Sequence, residues 1–152
     1  MKREILDFYR ETSAYTDLGC YKEFARNLPD DMEELCFLQR MQIIHPVVFK
    51  KDKDIRKKKE CFWGDMTKVP ETMLDFEDDI FPTALGILAE LLRRDARYLA
   101  QRKAEDKVHV TCRGQAILLA AVLKAKGVPA RARSGFAEYI GSDGIYRDHW
   151  IT

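Results

Sequence analysis

Helical periodicity runs through most of the chain before residue 108. Apolar residues recur there at intervals of three and four, as they do along one face of an amphipathic helix. Thr16 or Asp17 can cap a short helix that extends through Ala25. Thr83 can cap another helix that extends through Leu92. The pattern therefore predicts a mainly helical portion over residues 1–107.

A capping-box pattern predicts a longer helix between these two. Asp30 followed by Glu33 places two side chains where they can satisfy the first free N–H groups of a helix. Apolar residues follow at helical spacing as far as Ile44. Because a proline disfavours the α conformation of the residue before it, His45-Pro46 is expected to end this helix.

The most apolar helix is predicted to begin after Thr111, a suitable N-cap residue. Good helix formers follow as far as Lys126, Gly127 marks the end, and Pro129 prevents continuation. Cys112 then occupies the first helical position. Free N–H groups and the positive end of the helix dipole favour a thiolate at that position.

After this helix the chain alternates small or apolar residues with arginine, which predicts a half-buried strand over residues 128–140. Gly141-Ser142-Asp143-Gly144 is a turn signal, and residues 145–152 read as a second strand that pairs back on the first. The second strand carries His149. A thiol at a helix start and a histidine on a hairpin packed against it predict a cysteine nucleophile and its base.

This order of parts resembles the transglutaminase-like family, the fold group that also includes papain-like thiol proteases. The matching residues are Cys112 with Ala116, residues 123–133 with their Gly-Val-Pro-Ala-Arg run, Gly135-Phe136, and Asp148-His149-Trp150. The resemblance covers the last third of the chain well. It covers the rest only loosely, in the manner of bacterial members with a helical N-terminal part.

The resemblance implies an α+β fold in which the helix bearing Cys112 packs on an antiparallel hairpin. It implies that Cys112 is the nucleophile and His149 the general base and acid, in acyl transfer or amide hydrolysis. The expected partner is a peptide or protein amide substrate. No metal and no organic cofactor is required.

Two departures from the family pattern affect this expectation. Val110 stands where the family often has glycine, two residues before the cysteine. The family also has an aspartate or asparagine on the strand after the histidine, and this chain ends three residues past His149. Asp148 is not a ready substitute, because adjacent residues on a strand point to opposite faces.

We therefore expect a C-terminally incomplete chain, or a homodimer in which a second copy completes the sheet. The alternative is a non-catalytic binding or scaffold module that retains the transglutaminase-like fold without its chemistry.

Length and composition fit a single domain over residues 1–152, with the helical portion at 1–107 and the catalytic helix and hairpin at 108–152. The chain has 46% hydrophobic residues, enough for one core, and a net charge of +1, which creates no general field for nucleic acid or for an anionic membrane. The first residues, Met1–Asp7, lack the apolar run typical of a signal peptide, and the sequence contains no run of eighteen apolar residues. We expect a cytoplasmic protein that binds neither nucleic acid nor membrane.

The other cysteines and histidines have simpler interpretations. Cys20, Cys36 and Cys61 are expected to be small buried apolar residues, since the chain has no Cys-x-x-Cys spacing that would indicate zinc. His45 is interpreted as a cation at a helix C-terminus. His109 is a minor candidate to line the approach to the Cys112 thiol.

Three stretches of residues 46–82 have unusual composition. Lys50–Lys59 carries seven positive and two negative residues and is expected to be a solvated helix face. Glu71–Asp79 carries five acids, which we expect to lie across the basic run or across another copy of the chain. Phe62-Trp63-Gly64 is expected to be core.

Overall fold

The computed structural model describes residues 2–46, 75–138 and 144–152. Helices and short strands are mixed in it, and the α+β class is as predicted. The elements are α1 Arg3–Arg10, α2 Lys22–Arg26, α3 Met32–Arg40, β1 Ile43–Ile44, α4 Ala84–Arg94, β2 Val108–His109, α5 Cys112–Ala125, β3 Arg133–Ala137 and β4 Arg147–Ile151, with 3₁₀ turns at Gly19–Tyr21 and Ala104–Asp106.

Side-chain caps fix the starts of α3 and α4. Thr83 Oγ1 accepts the Gly86 N–H at 3.2 Å, which confirms the predicted cap of α4. The cap of α3 is Asp31, whose carboxylate accepts the Glu34 N–H at 2.9 Å. The predicted capping box starting at Asp30 is therefore wrong by one residue, because the neighbouring aspartate offers the same acceptor in better register.

The helix predicted as far as Ile44 ends at Arg40. Ile43 and Ile44 instead form β1, which pairs in parallel with β2 in the register Ile43 with Val108 and Ile44 with His109. Both isoleucines are fully buried. Two adjacent buried apolar residues fit a strand covered on both faces, because successive side chains of a strand point to opposite faces.

Helix α5 is the centre of the core, and the prediction of its bounds is confirmed. Its C-terminus closes at Gly127, which has φ +79°. The Val128 N–H reaches the Leu123 carbonyl and the Gly127 N–H reaches the Lys124 carbonyl, each at 2.9 Å, in a Schellman motif. Helices α2 and α4 and strand β4 pack around α5.

The predicted hairpin is also confirmed, since β3 and β4 pair antiparallel with Gly135 opposite His149. The predicted turn, Gly141-Ser142-Asp143-Gly144, lies outside the described residues except for Gly144. Strand β4 packs on α5, and the Thr152 hydroxyl donates to the Ala116 carbonyl at 2.7 Å. Strand β3 is exposed except at Ala137, so less of it is buried than the alternating pattern predicted.

Cys20 and Cys36 are exposed free thiols, so the expectation that they are buried is wrong. Cys20 lies in the surface turn Gly19–Tyr21. Cys36 follows Leu35 on α3, and the buried face of that helix is formed by Leu35 and Gln39, about one turn apart. Cys61 lies outside the described residues, as do Lys50–Lys59, Phe62-Trp63-Gly64 and the first part of the acidic run.

In the part of the chain that the structure describes, none of the helices has the length and apolar character needed to cross a membrane.

Candidate active site

Two carboxylates hold the junction between β2 and α5. Glu77 accepts the His109 N–H at 2.7 Å and donates its own N–H to the His109 carbonyl at 2.8 Å. Asp78 accepts the Thr111 N–H at 3.1 Å and the Thr111 hydroxyl at 2.7 Å. Thr111 stands at the predicted N-cap position, but its hydroxyl bonds Asp78 rather than the helix. Glu77 and Asp78 therefore fix the point at which α5 begins.

Cys112 is the first residue of α5 and is half-buried. Hydrogen bonding of the helix begins with the Gln115 N–H, which donates to the Thr111 carbonyl at 3.1 Å. The amides from Cys112 to Gly114 therefore have no acceptor within the helix. Such amides can donate to a negative oxygen placed beside the helix start.

Cys112 and His149 line one cavity of about 430 Å³. The cavity lies between α3, α5 and β4, and its remaining lining residues are Cys36, Gln39, Arg40, His45, Gln115, Ala116, Leu119, Trp150, Ile151 and Thr152. The fold thus brings together the two residues that the sequence singled out. They come from a helix start and a strand, as the sequence predicted.

His45 lines the same cavity, and its interpretation as a helix C-terminal cation is wrong. It follows strand β1, not a helix. Because β1 and β2 are parallel, the residues after them leave the pair at the same edge, which brings His45 towards the start of α5. In the sequence, the signal for a strand before this histidine was the pair of adjacent apolar residues Ile43-Ile44.

The electrostatic environment of His45 favours a neutral imidazole. Burial lowers the pKa of His45 from its usual 6.5, Asp78 opposes that shift, and the nearby His149 adds to it. His45 is therefore mainly uncharged at pH 7.

Two buried polar atoms of this cavity's lining residues have no hydrogen-bond partner among the described residues. They are Gln39 Oε1 and His45 Nδ1. The amide nitrogen of Gln39 is satisfied, because it donates to the Gln115 carbonyl at 2.9 Å. A buried polar group without a partner costs about 1–3 kcal/mol, so a bound group that could pair with these atoms would be favoured.

His109 and Asp148 do not line the cavity. His109 is buried on β2, so it is not placed at the approach to the thiol, contrary to the expectation. Asp148 is exposed on β4 and pairs with Phe136. Over the described ranges, the structure contains no cluster of three or more His, Cys, Asp or Glu residues that could hold a metal ion.

No protein-family model, curated protein or solved structure matches this chain. The contacts of the cavity and the sequence resemblance are therefore the basis for a functional assignment.

Proposed function

We propose that the protein is a thiol enzyme of the transglutaminase-like type that transfers or hydrolyses the acyl group of an amide. The observation that carries the proposal is the shared cavity of Cys112 and His149. A nucleophile at a helix start and an imidazole on an adjoining strand are the two parts that thiol acyl transfer requires.

The proposed reaction begins with attack of the Cys112 thiolate on the substrate carbonyl carbon. The negative oxygen of the tetrahedral intermediate is stabilised by free N–H groups at the start of α5. The C–N bond then breaks, and protonated His149 gives its proton to the leaving amine. Water, or a second amine, attacks the resulting thioester with His149 as the base, which releases the acyl product and restores the thiol.

Gln39 and His45 support an amide as the substrate class. Gln39 Oε1 is a buried acceptor that suits a substrate N–H, and this role is part of the proposal. A neutral His45 imidazole has one N–H and one bare nitrogen, so it can donate to a carbonyl oxygen without competing with His149 for a proton.

One observation favours the alternative, a binding module without catalysis. Asp78 places a carboxylate against Thr111, next to the residue that begins α5. This carboxylate already places a negative charge beside the positive end of the helix, which disfavours a second negative charge there. The reactivity of the thiol decides between the two functions.

Alkylation by iodoacetamide at pH 6, followed residue by residue with peptide mass spectrometry, tests the proposal. We expect Cys112 to react at least tenfold faster than Cys20, because the proposed mechanism requires the His149 imidazole to activate the Cys112 thiol as a nucleophile. Cys20 is the internal control, since it is exposed and does not line the cavity, whereas Cys36 does. The His149→Ala variant is expected to bring the rate of Cys112 down to that of Cys20.

The matched control is Asp148→Ala, which changes the exposed neighbour of His149 and should leave the rate of Cys112 unchanged. Equal rates for Cys112 and Cys20 in the unmodified protein would rule out the enzyme and leave the binding module.

A further inference from the structure

A second cavity, of about 540 Å³, shares Trp150 with the first. Its charged lining residues are three cations and one acid, namely Arg113, Lys124, Arg131 and Glu11. Aromatic residues complete the walls, among them Tyr9 and Tyr15. The cavity therefore combines an excess of positive charge with apolar ring faces.

The lysine of this cavity is already engaged. Lys124 Nζ donates to the Tyr9 carbonyl at 2.6 Å and to the Glu11 carbonyl at 2.5 Å. Burial lowers the pKa of Lys124, and Glu11 opposes that shift. Its role is to hold the segment after α1 against α5.

The two arginines differ from the lysine because, among the described residues, neither donates to a backbone carbonyl and neither forms an ion pair. The half-buried Arg113 lies over the Tyr15 ring, 5.9 Å from its centroid. Arg131 lies over the Tyr9 ring at 5.1 Å and donates to the Tyr9 hydroxyl at 2.8 Å. Stacking on rings orients both guanidinium groups and leaves most of their N–H donors available.

We propose that this cavity binds an anionic group, a carboxylate or a phosphate, that is attached to an apolar or aromatic body. Guanidinium groups bind planar carboxylates and phosphates through paired, charge-assisted hydrogen bonds. The body of the ligand would contact Tyr9, Tyr15 and Trp150. An uncharged ligand of the same shape would leave the positive charges of both arginines without a negative partner.

The position of the cavity makes it a substrate subsite, an assignment that rests on the proposed function. Arg113 follows Cys112 in α5, and Trp150 follows His149 in β4. Each residue of the proposed catalytic pair thus has its chain neighbour in the second cavity. The substrate class inferred is an amide whose acyl or amine part carries a negative charge close to the reacting bond.

Ligand-observed NMR titration of the full chain tests the binding itself without turnover. The probes are phenylacetate, phenyl phosphate and the uncharged phenylacetamide. We expect at least one of the two anions to bind at least tenfold more tightly than phenylacetamide, and the stronger of the two identifies the preferred anion. Arg113→Gln and Arg131→Gln are each expected to weaken the binding of that anion about tenfold, since each removes a charge-assisted contact.

Arg133→Gln is the matched control, because Arg133 is exposed on β3 and does not line the cavity, so its loss should leave binding unchanged. Arg113→Lys, which keeps the charge without the planar fork, should bind more tightly than Arg113→Gln and covers the case in which the glutamine variant fails to fold. Equal binding of the anions and the amide, or equal loss in Arg133→Gln, would overturn the inference.

The Cys112→Ser variant separates the two proposals. We expect it to bind the preferred anion with unchanged affinity, because the thiol lies in the other cavity. Anion-selective binding together with an unreactive Cys112 would refute the proposed function and leave the anion site. A reactive Cys112 without anion selectivity would refute the anion site alone.

Discussion

Lys107 is fully buried, and its ammonium nitrogen has no hydrogen-bond partner among the described residues. Burial lowers the pKa of Lys107 from 10.5 to about 8, and the neighbouring Arg102 adds to the shift. At pH 7 the folded protein therefore carries a buried charge that the unfolded chain exposes to water. This residue reduces the stability of the fold at neutral pH.

The free energy of unfolding should therefore rise with pH above about 8. Between this pH and about 10, the unfolded chain keeps the Lys107 proton that the folded protein has lost, so raising the pH favours the folded state. Lys107→Met should remove this rise and add about 3 kcal/mol at pH 7, the equivalent of the pKa difference. Urea unfolding of both proteins from pH 7 to pH 10 measures this, and a parallel pH dependence in the two would contradict it.

At the scale of elements, close packing fixes the start of α5. A Cβ atom on Gly114 would stand 2.7 Å from Val110 Cβ and 3.4 Å from Ile87 Cδ1. Val110 belongs to the segment that leads into the helix, and Ile87 lies on α4. Because Gly114 has no side chain, the start of α5 can pack closely against α4. This close contact lies one residue after Arg113 and two residues after Cys112.

Gly114→Ala should destabilise the protein although alanine is the better helix former. The gain in helix propensity is about 1 kcal/mol, whereas overpacking costs about 1–3 kcal/mol and here displaces Val110. We expect a net loss of about 1 kcal/mol in urea unfolding and slower alkylation of Cys112. Gly135→Ala is the control, because nothing lies within 4 Å of its added Cβ. If the Gly114→Ala protein were more stable than the parent, the segment that contains Val110 would be able to shift and accommodate the added methyl group.

At the scale of the whole molecule, Arg102 joins distant parts of the chain. It is buried and donates to the Gln42 side chain at 2.6 Å. It also donates to four backbone carbonyls, those of Leu91, Asp95, Arg97 and Asp106. These contacts connect the end of α3, the end of α4 and the segment that leads to β2. They hold in place the parallel strands that position His45.

Arg102→Met should cost about 3–5 kcal/mol in urea unfolding, since it removes the buried donor that serves five acceptors. The control is Arg3→Met, whose side chain is 94% exposed and pairs at the surface with the half-exposed Asp7 at 4.0 Å. Losing that pair should cost no more than about 1 kcal/mol. A similar loss for both variants would show that Arg102 does not act as a buried junction.

Sequence predicted α5 and the hairpin well because their signals are local. The caps, the glycine at residue 127 and the alternation after it depend on residues within a few positions of each other. Cys112 and His149 were found for this reason. The same reasoning misplaced the capping aspartate of α3 and extended that helix to Ile44, where burial against a distant strand decides the conformation.

The sequence by itself determined the α5 helix with a thiol at its first position, the paired strands, and the family that this order resembles. Only the tertiary structure decided that His45 and Gln39 line the cavity of Cys112 and His149, and that Arg113 and Arg131 share a second cavity. The physical reason is the range of the interactions. Helix caps and turns are set by neighbouring residues, whereas a cavity is closed by side chains from segments that meet only when the core is packed.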